Sequence, residues 1–272
     1  MRFDRGRTML ATAGALLVLG AAGAGAQQES TTWNWSGDLG QGRTVYLRNI
    51  NGAVRFEAGS GNKVEVSAIK RWRRGDPADV RIEARMAGSG RGDIIICALW
   101  GERATCDEEG YESNRDRDDR DRNRNNNDVS VEFVVKVPAS ARVDASTVNG
   151  DLRVEGTNAD IDASTVNGDL EAYSASGRVE ASTVNGSITV RNGAQVTQDL
   201  EYSTVNGSIT VELPAATNAS VSLSTVNGRI STDFPMTLDG NINPRRIRAN
   251  IGNGGPRIRA NTVNGSIRLR KI

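Results

Sequence analysis

The chain has 272 residues, with 34 Lys and Arg against 33 Asp and Glu, no His, two Cys and a formal net charge of +1. The lack of His removes Ser-His-Asp and Cys-His nucleophile systems, His-ligated metals and the usual proton shuttle, and two Cys are too few for a structural zinc site. Balanced charge gives no global signal for nucleic acid, while 30 Gly and only 4% aromatics suit thin, regularly stacked β structure better than one thick core.

In chain order, Arg2, Arg5 and Arg7 precede an apolar run from Met9 to Gly20, and Ala24-Gly25-Ala26 supplies a small-residue cleavage pattern. These features predict a signal peptide over 1–26 and a mature chain from Gln27. The run is shorter than the ~20 strongly apolar residues of a good membrane span, so no membrane span is expected in the mature chain. Removal of 1–26 takes three Arg and one Asp, leaving 31 basic and 32 acidic residues, a net of −1. Export also places Cys97 and Cys106 where disulfides persist, and we read them as one bridge closing a short loop.

A β-repeat starts soon after Trp33 and Trp35. Around Asn51-Gly52 stand Val45, Leu47, Val54 and Phe56, and further alternating runs follow at 64–66 and 80–84. The pattern stops between Trp100 and Asp128, where Arg, Asp and Asn dominate and Tyr111 is the only large apolar residue of 107–128. Such a segment cannot offset its ordering entropy, so a disulfide-tethered, disordered insertion over 98–128 is expected. Alternation resumes at 129–137.

The pentapeptide Ser-Thr-Val-Asn-Gly then occurs five times, with a near copy, Asn-Thr-Val-Asn-Gly, at 261–265. Its asparagines are Asn149, Asn167, Asn185, Asn206, Asn227 and Asn264, at steps of 18, 18, 21, 21 and 37. The last step is close to two repeats, which predicts a degenerate copy around Ile251-Gly252-Asn253-Gly254. Six residues before each Asn stand Val143, Ile161, Val179, Leu200, Val221 and Ile258; three after stand Leu152, Leu170, Ile188, Ile209, Ile230 and Ile267. Positions between the apolar ones are mostly polar. A period of two on both sides of a turn means two half-buried strands per repeat.

Two architectures fit. Asn-Gly between alternating strands is the strongest short hairpin signal, because both residues tolerate positive φ, and it would give an antiparallel meander. In a parallel β-solenoid, Asn-Gly instead turns a corner and each strand pairs with its counterpart one coil away. Near-identity of successive copies favours the solenoid: coils ~4.8 Å apart put like on like, so the Asn amides form a ladder and the preceding Val residues an apolar row. The expected fold is therefore all-β, a parallel β-solenoid of about ten short coils with Asn-Gly corners, in a single domain over 27–272.

The tryptophan-containing start, the Asn-Gly β-repeat, the Val137-Pro138 step and the recurring Asn-Gly-x-Ile/Leu-x-Val units resemble a bacterial family. It is known as the "putative adhesin" or β-strand-repeat domain of unknown function, close to the auto-transporter-adhesin head domain. The resemblance spans nearly the whole mature chain and implies an exported, parallel β-solenoid-like domain. It carries over no catalytic residues, and the Arg/Asp/Asn-rich insertion departs from it.

Carboxylates are the only catalytic candidates. Asp144, Asp162, Glu180 and Glu201 share one outward position in successive repeats, as do Asp151 and Asp169, and stacked coils would bring neighbours near the ~5 Å of retaining glycosidases. Repeat duplication alone also produces such rows on a solvated face. Arg257, Arg259, Arg268 and Arg270 form a candidate anion-binding end, since guanidinium pairs with phosphate or carboxylate in bidentate fashion; a charged cap against end-to-end stacking is the plainer reading. Parity places Thr147, Thr165, Thr183, Thr204 and Thr225 inward and the motif serines outward. The reading that results is a non-catalytic, cofactor-free envelope scaffold or adhesin-like binder in the periplasm or at the cell surface. Envelope polysaccharide or a surface partner would be its ligand. The alternative is a polysaccharide-active enzyme using the stacked carboxylates.

Overall fold

The structure is a computed structural model that describes residues 29–87, 92–113, 127–238 and 243–272. The expected signal peptide and residues 114–126 of the expected insertion lie outside the described residues. Strand β1 (Glu29–Asp38) is followed by β2 (Thr44–Arg48) and β3 (Val54–Ala58), which flank the first corner. Next come β4 (Lys63–Trp72), β5 (Val80–Met86), β6 (Ile94–Trp100), the hairpin β7 (Ala104–Cys106) and β8 (Tyr111–Ser113), and β9 (Ser130–Val137). Four corner-flanking pairs follow: β10 (Arg142–Ser146) with β11 (Leu152–Thr157), β12 (Ile161–Ser164) with β13 (Leu170–Ser174), β14 (Val179–Ser182) with β15 (Ile188–Asn192), and β16 (Leu200–Asn206) with β17 (Ile209–Leu213). The chain ends with β18 (Ala219–Asn227), β19 (Ile230–Thr232), β20 (Met236–Leu238), β21 (Arg246–Ile251), β22 (Arg257–Asn264) and β23 (Ile267–Lys271).

The fold is all-β, with long sheets that are mostly parallel and antiparallel at their margins. Strands that lead into a corner share one sheet with β5, β6, β20 and β21, in the order β20-β21-β18-β22-β16-β14-β12-β10-β2-β6-β5. Strands that leave a corner share the other with β1, β4 and β9, in the order β1-β4-β9-β3-β11-β13-β15-β17-β23-β19. We call them the leading and trailing sheets. Equivalent residues stand side by side: Val143 pairs with Ile161, and Ile161 with Val179. The central corners are therefore parallel corners and not hairpins, as stacking of like on like requires.

One core runs between the sheets, built from the alternating residues, with Val143, Ile161, Val179, Leu200, Leu152, Leu170 and Ile188 all buried. Each such side chain contributes about 1.5–3 kcal/mol on burial, so stability is spread along the stack. Tyr202 stands where other coils carry Ala163 or Ala181 and is fully buried. It lies in the first coil reached by a 21-residue step, and its hydroxyl donates to Asn192 Oδ1 at 3.3 Å. Burial pushes its phenol above the usual range.

Order in space departs from order in the chain at both ends. The β2/β3 coil is flanked on its outer side by β6 and β9. At the other end β22/β23 lies between β16/β17 and β18/β19. Among the described residues, the 37-residue step thus contains no additional parallel coil. β21 runs antiparallel along the outer side of β18, and Gly252 and Gly254, at φ 57° and 74°, turn the chain back inward. The expected degenerate copy at 251–254 is that turn.

The expected insertion is partly regular structure. Residues 98–100 complete β6, and the β7–β8 hairpin packs on the outer face of the leading sheet. There Ile95, Cys97, Leu99, Ala104 and Cys106 form a second small core with Tyr46 and Tyr111 at its margin. Cys97 and Cys106 are joined, with Cα atoms 6.5 Å apart. Beyond the described gap, Asp128 Oδ1 accepts the backbone N–H groups of Arg73, Arg74 and Gly75 at 3.2, 3.2 and 2.8 Å. Those bonds hold its carboxyl below the usual range. Among the described residues no helix is long and apolar enough to cross a membrane.

Candidate functional site: the outer face of the leading sheet

The corners carry an unbroken amide ladder. Asn167, Asn185, Asn206 and Asn264 donate from Nδ2 to the Oδ1 of Asn149, Asn167, Asn185 and Asn206 at 2.7–2.8 Å, and Asn227 donates to Asn264 at 2.9 Å. Asn51, at the start of the row, donates instead to the carbonyl of Val129. Behind the ladder, buried Thr165, Thr183, Thr204 and Thr262 each donate from Oγ1 to a corner-glycine carbonyl one coil away, at 2.9–3.1 Å. An inward valine would leave those carbonyls without this donor. Glycine is required for closeness: a Cβ on Gly168, Gly186 or Gly207 would lie 1.8–2.1 Å from the carbonyl oxygen of the neighbouring glycine. Positive φ, the reason expected from hairpin turns, is confined among these corners to Gly52 and Gly150.

Outward residues of the leading sheet fall into straight rows. Val148, Val166, Val184, Val205, Val263 and Val226 form an apolar row that is 37–54% exposed. Beside it runs Ser146, Ser164, Ser182, Ser203, Asn261 and Ser224, and beyond that Asp144, Asp162, Glu180, Glu201 and Arg259, each in register with the next. At one end the face is closed by the β7–β8 hairpin, which covers Arg48. That residue is 5% exposed; its guanidinium donates to Asp144 Oδ1 at 2.7 Å, to the Asp144 carbonyl at 3.1 Å and to the Glu108 carbonyl at 2.7 Å. At the other end Arg246, Arg248, Arg257 and Arg259 share the face, since Ser222 lies between Arg248 and Arg259.

The carboxylates are brought together, and most are occupied. Asp144 pairs with Arg48, Glu180 with Arg178, and Glu201 with Arg259 at 3.4 Å. Asp151 and Asp169 accept the backbone N–H of Asp169 and Ser187 at 2.9 and 2.7 Å. Asp160 and Asp199 do the same for Arg178 and Arg257 at 2.9 and 2.7 Å on the opposite edge. Asp162 alone of its row has no ion pair among the described residues. Crowding by adjacent coils raises its carboxyl above the usual range, and the Asp144 and Glu180 charges push the same way.

The candidate anion-binding arginines are not brought into one patch. Arg257 and Arg259 lie on β22 in the leading sheet, whereas Arg268 and Arg270 lie on β23 in the trailing sheet, on the opposite face. Arg270 also pairs with Glu212 at 3.5 Å. Alternation within each strand is right, but the corner at Asn264 turns the chain between them. Arg48 and the hairpin escaped the sequence reading. Their signal was the unbroken apolar run Ile94-Ile95-Ile96-Cys97-Ala98-Leu99-Trp100, which marks a strand buried on both faces.

Residues 88–270 match the Toastrack DUF4097 family. The chain belongs to that family. The match runs from β6 into β23, and β1–β5 precede it. A search of curated proteins finds no match. Among solved structures, a "putative cell adhesion protein" from Clostridium sporogenes is 11% identical, covers 89% of this chain and 100% of its own, and has a TM-score of 0.46. A "putative adhesin" from Bacteroides fragilis is 11% identical, covers 91% and 99%, and has a TM-score of 0.33. A third, from Parabacteroides distasonis, is 8% identical, covers 89% and 97%, and has a TM-score of 0.23.

Proposed function

We propose that this Toastrack protein is an exported, non-catalytic β-repeat module of the periplasm or cell surface. It is a single domain over 27–272 that binds an extended envelope polysaccharide or surface partner along the outer face of its leading sheet. One observation carries the reading: the carboxylates that could act as acid and base are, Asp162 apart, already engaged, Glu180 with Arg178 of its own coil and the others in bonds that tie coil to coil. What remains outward is a straight, rigid array of hydroxyls beside an apolar row, repeating every ~4.8 Å. Such an array suits a polymer with a short repeat, because sugar C–H faces pack on apolar side chains while hydroxyls exchange hydrogen bonds. The anion-binding role is confined in this reading to Arg246, Arg248, Arg257 and Arg259, which share that face.

The test mixes mature protein with isolated envelope polysaccharide and follows co-sedimentation and release of reducing ends together. Binding without release is expected. It should weaken with salt and on replacing Arg248, Arg257 and Arg259 together, and be unaffected by replacing Arg268 and Arg270. Release of reducing ends, lost in Asp162→Asn, would overturn the non-enzyme reading.

A further inference from the structure

Four strands end the two sheets, and three of them are guarded. β19 and β20 are only three residues long. On β5, the bonds Ala87 N–H to Asp93 O and Gly101 N–H to Asp79 O fix the odd-numbered residues as those bonded to β6, so the backbone of Val80 faces the free edge. Lys70 sits there: its ammonium donates to the carbonyls of Pro77 and Val80, and burial lowers its pKa. A lysine over an open edge is a standard guard against strand addition.

β1 has no such guard. It is ten residues long, pairs among the described residues only with β4, and contains no Lys, Arg or Pro. Leu39 N–H bonds Asn62 O at 2.8 Å, so in this antiparallel register the odd residues bond β4. Ser30, Thr32, Asn34, Ser36 and Asp38 turn their N–H and C=O groups outward along the edge. Their side chains are exposed, while Trp33 and Trp35 on the other face are only half buried against the core.

We propose that β1 is the self-association edge of this protein, pairing antiparallel with β1 of a second copy about a two-fold axis at Asn34. A second copy is the occupant the residues favour. In that register Thr32 faces Ser36 of the other copy and Ser30 faces Asp38, so every bonded pair joins small polar side chains and no like charges meet. Trp33 falls opposite Trp35 at a non-hydrogen-bonded position, where side chains approach most closely. Two cross-strand aromatic pairs thereby cover the indole surface each copy leaves half exposed. The contact is isologous and closed, so it yields a dimer rather than a fibre.

The test uses the mature chain, 27–272, in sedimentation equilibrium and in amide exchange. Twice the monomer mass is expected, with the Thr32, Asn34 and Ser36 amides protected. Thr32→Lys with Ser36→Lys places lysine opposite lysine on exposed positions and should return the mass to that of one chain, with unchanged circular dichroism. Asn34→Cys should cross-link to itself with a short bis-maleimide, whereas Thr32→Cys alone should not. A wild-type chain that stays monomeric with those amides exchanging freely would refute the proposal. A dimer that survives the double lysine variant would place the contact elsewhere and refute it equally.

Discussion

Gly186→Ala tests whether the corners need glycine for space. The added Cβ would lie 1.9 Å from the Gly168 carbonyl oxygen, and that neighbour is backbone. Ordinary contact begins near 3.4 Å, so the coils must part by more than ~1 Å against a ladder spacing of ~4.8 Å. Overpacking of this kind costs typically 1–3 kcal/mol, and a rigid backbone obstacle argues for the upper end, about 3 kcal/mol. For a domain near this size that corresponds to a melting-point loss of roughly 6–12 °C. Gly61→Ala is the control: its φ is +67° with nothing within 4 Å, so only the left-handed conformation is penalised, at about 1–2 kcal/mol. Urea unfolding should show a lower midpoint with unchanged slope for both variants, and a larger loss for Gly186→Ala. A Gly186→Ala loss below about 0.5 kcal/mol would refute the close-approach argument.

Asp162→Asn should raise thermal stability at neutral pH. A carboxyl whose folded pKa is raised leaves the fold unpenalised below the ordinary value of 3.8 and weakens it as pH climbs through the folded pKa. The variant's advantage should therefore vanish near pH 3 and be complete at pH 7, as melting curves across that range would show. Arg48→Met leaves Asp144 and two carbonyls without their donor; losses for broken buried pairs run ~3–5 kcal/mol, and the partial exposure of Asp144 reduces the expectation to about 2 kcal/mol in urea unfolding. Opening the Cys97–Cys106 bridge, as Cys97→Ser with Cys106→Ser, removes a short-loop constraint that is typically ~2–4 kcal/mol. Amide exchange should rise in the β7–β8 hairpin while the Asn149–Asn206 corners keep their protection.

Much of the stack was legible because its signals are local and repeated. Period-two alternation around each Asn-Gly identified the inward rows, and near-identity of the copies pointed to parallel stacking with an amide ladder. What stayed hidden depends on partners distant in sequence. Arg48 looks like an outward residue of an ordinary strand until Glu108 is folded over it. Cys106 and Tyr111 sit in a charged stretch that could not hold itself together; they are ordered by the outward side chains Ile95, Cys97 and Leu99. The arginine end was read from alternation within strands, which is silent about which sheet each strand joins once a corner intervenes.

The misplaced coil at 264 has a deeper cause. Stacked repeats recognise one another through like residues, so the coil carrying Ile258, Ala260, Thr262 and Ile267 fits beside the 206 coil as well as beside the 227 coil. It touches both, with Ile258 between Leu200 and Val221 and Thr262 between Thr204 and Thr225. Near-identity therefore specifies register but leaves order open, and order is set where the repeat is broken. The 37-residue step supplies the length for β21 to run antiparallel outside β18 and for the chain to return inside it. The same logic holds at the other end, where the long path from β3 to β10 allows β6 and β9 to close the stack outside the first coil. The step near twice the usual spacing, and the long path before the second corner, thus mark the two ends of this parallel stack.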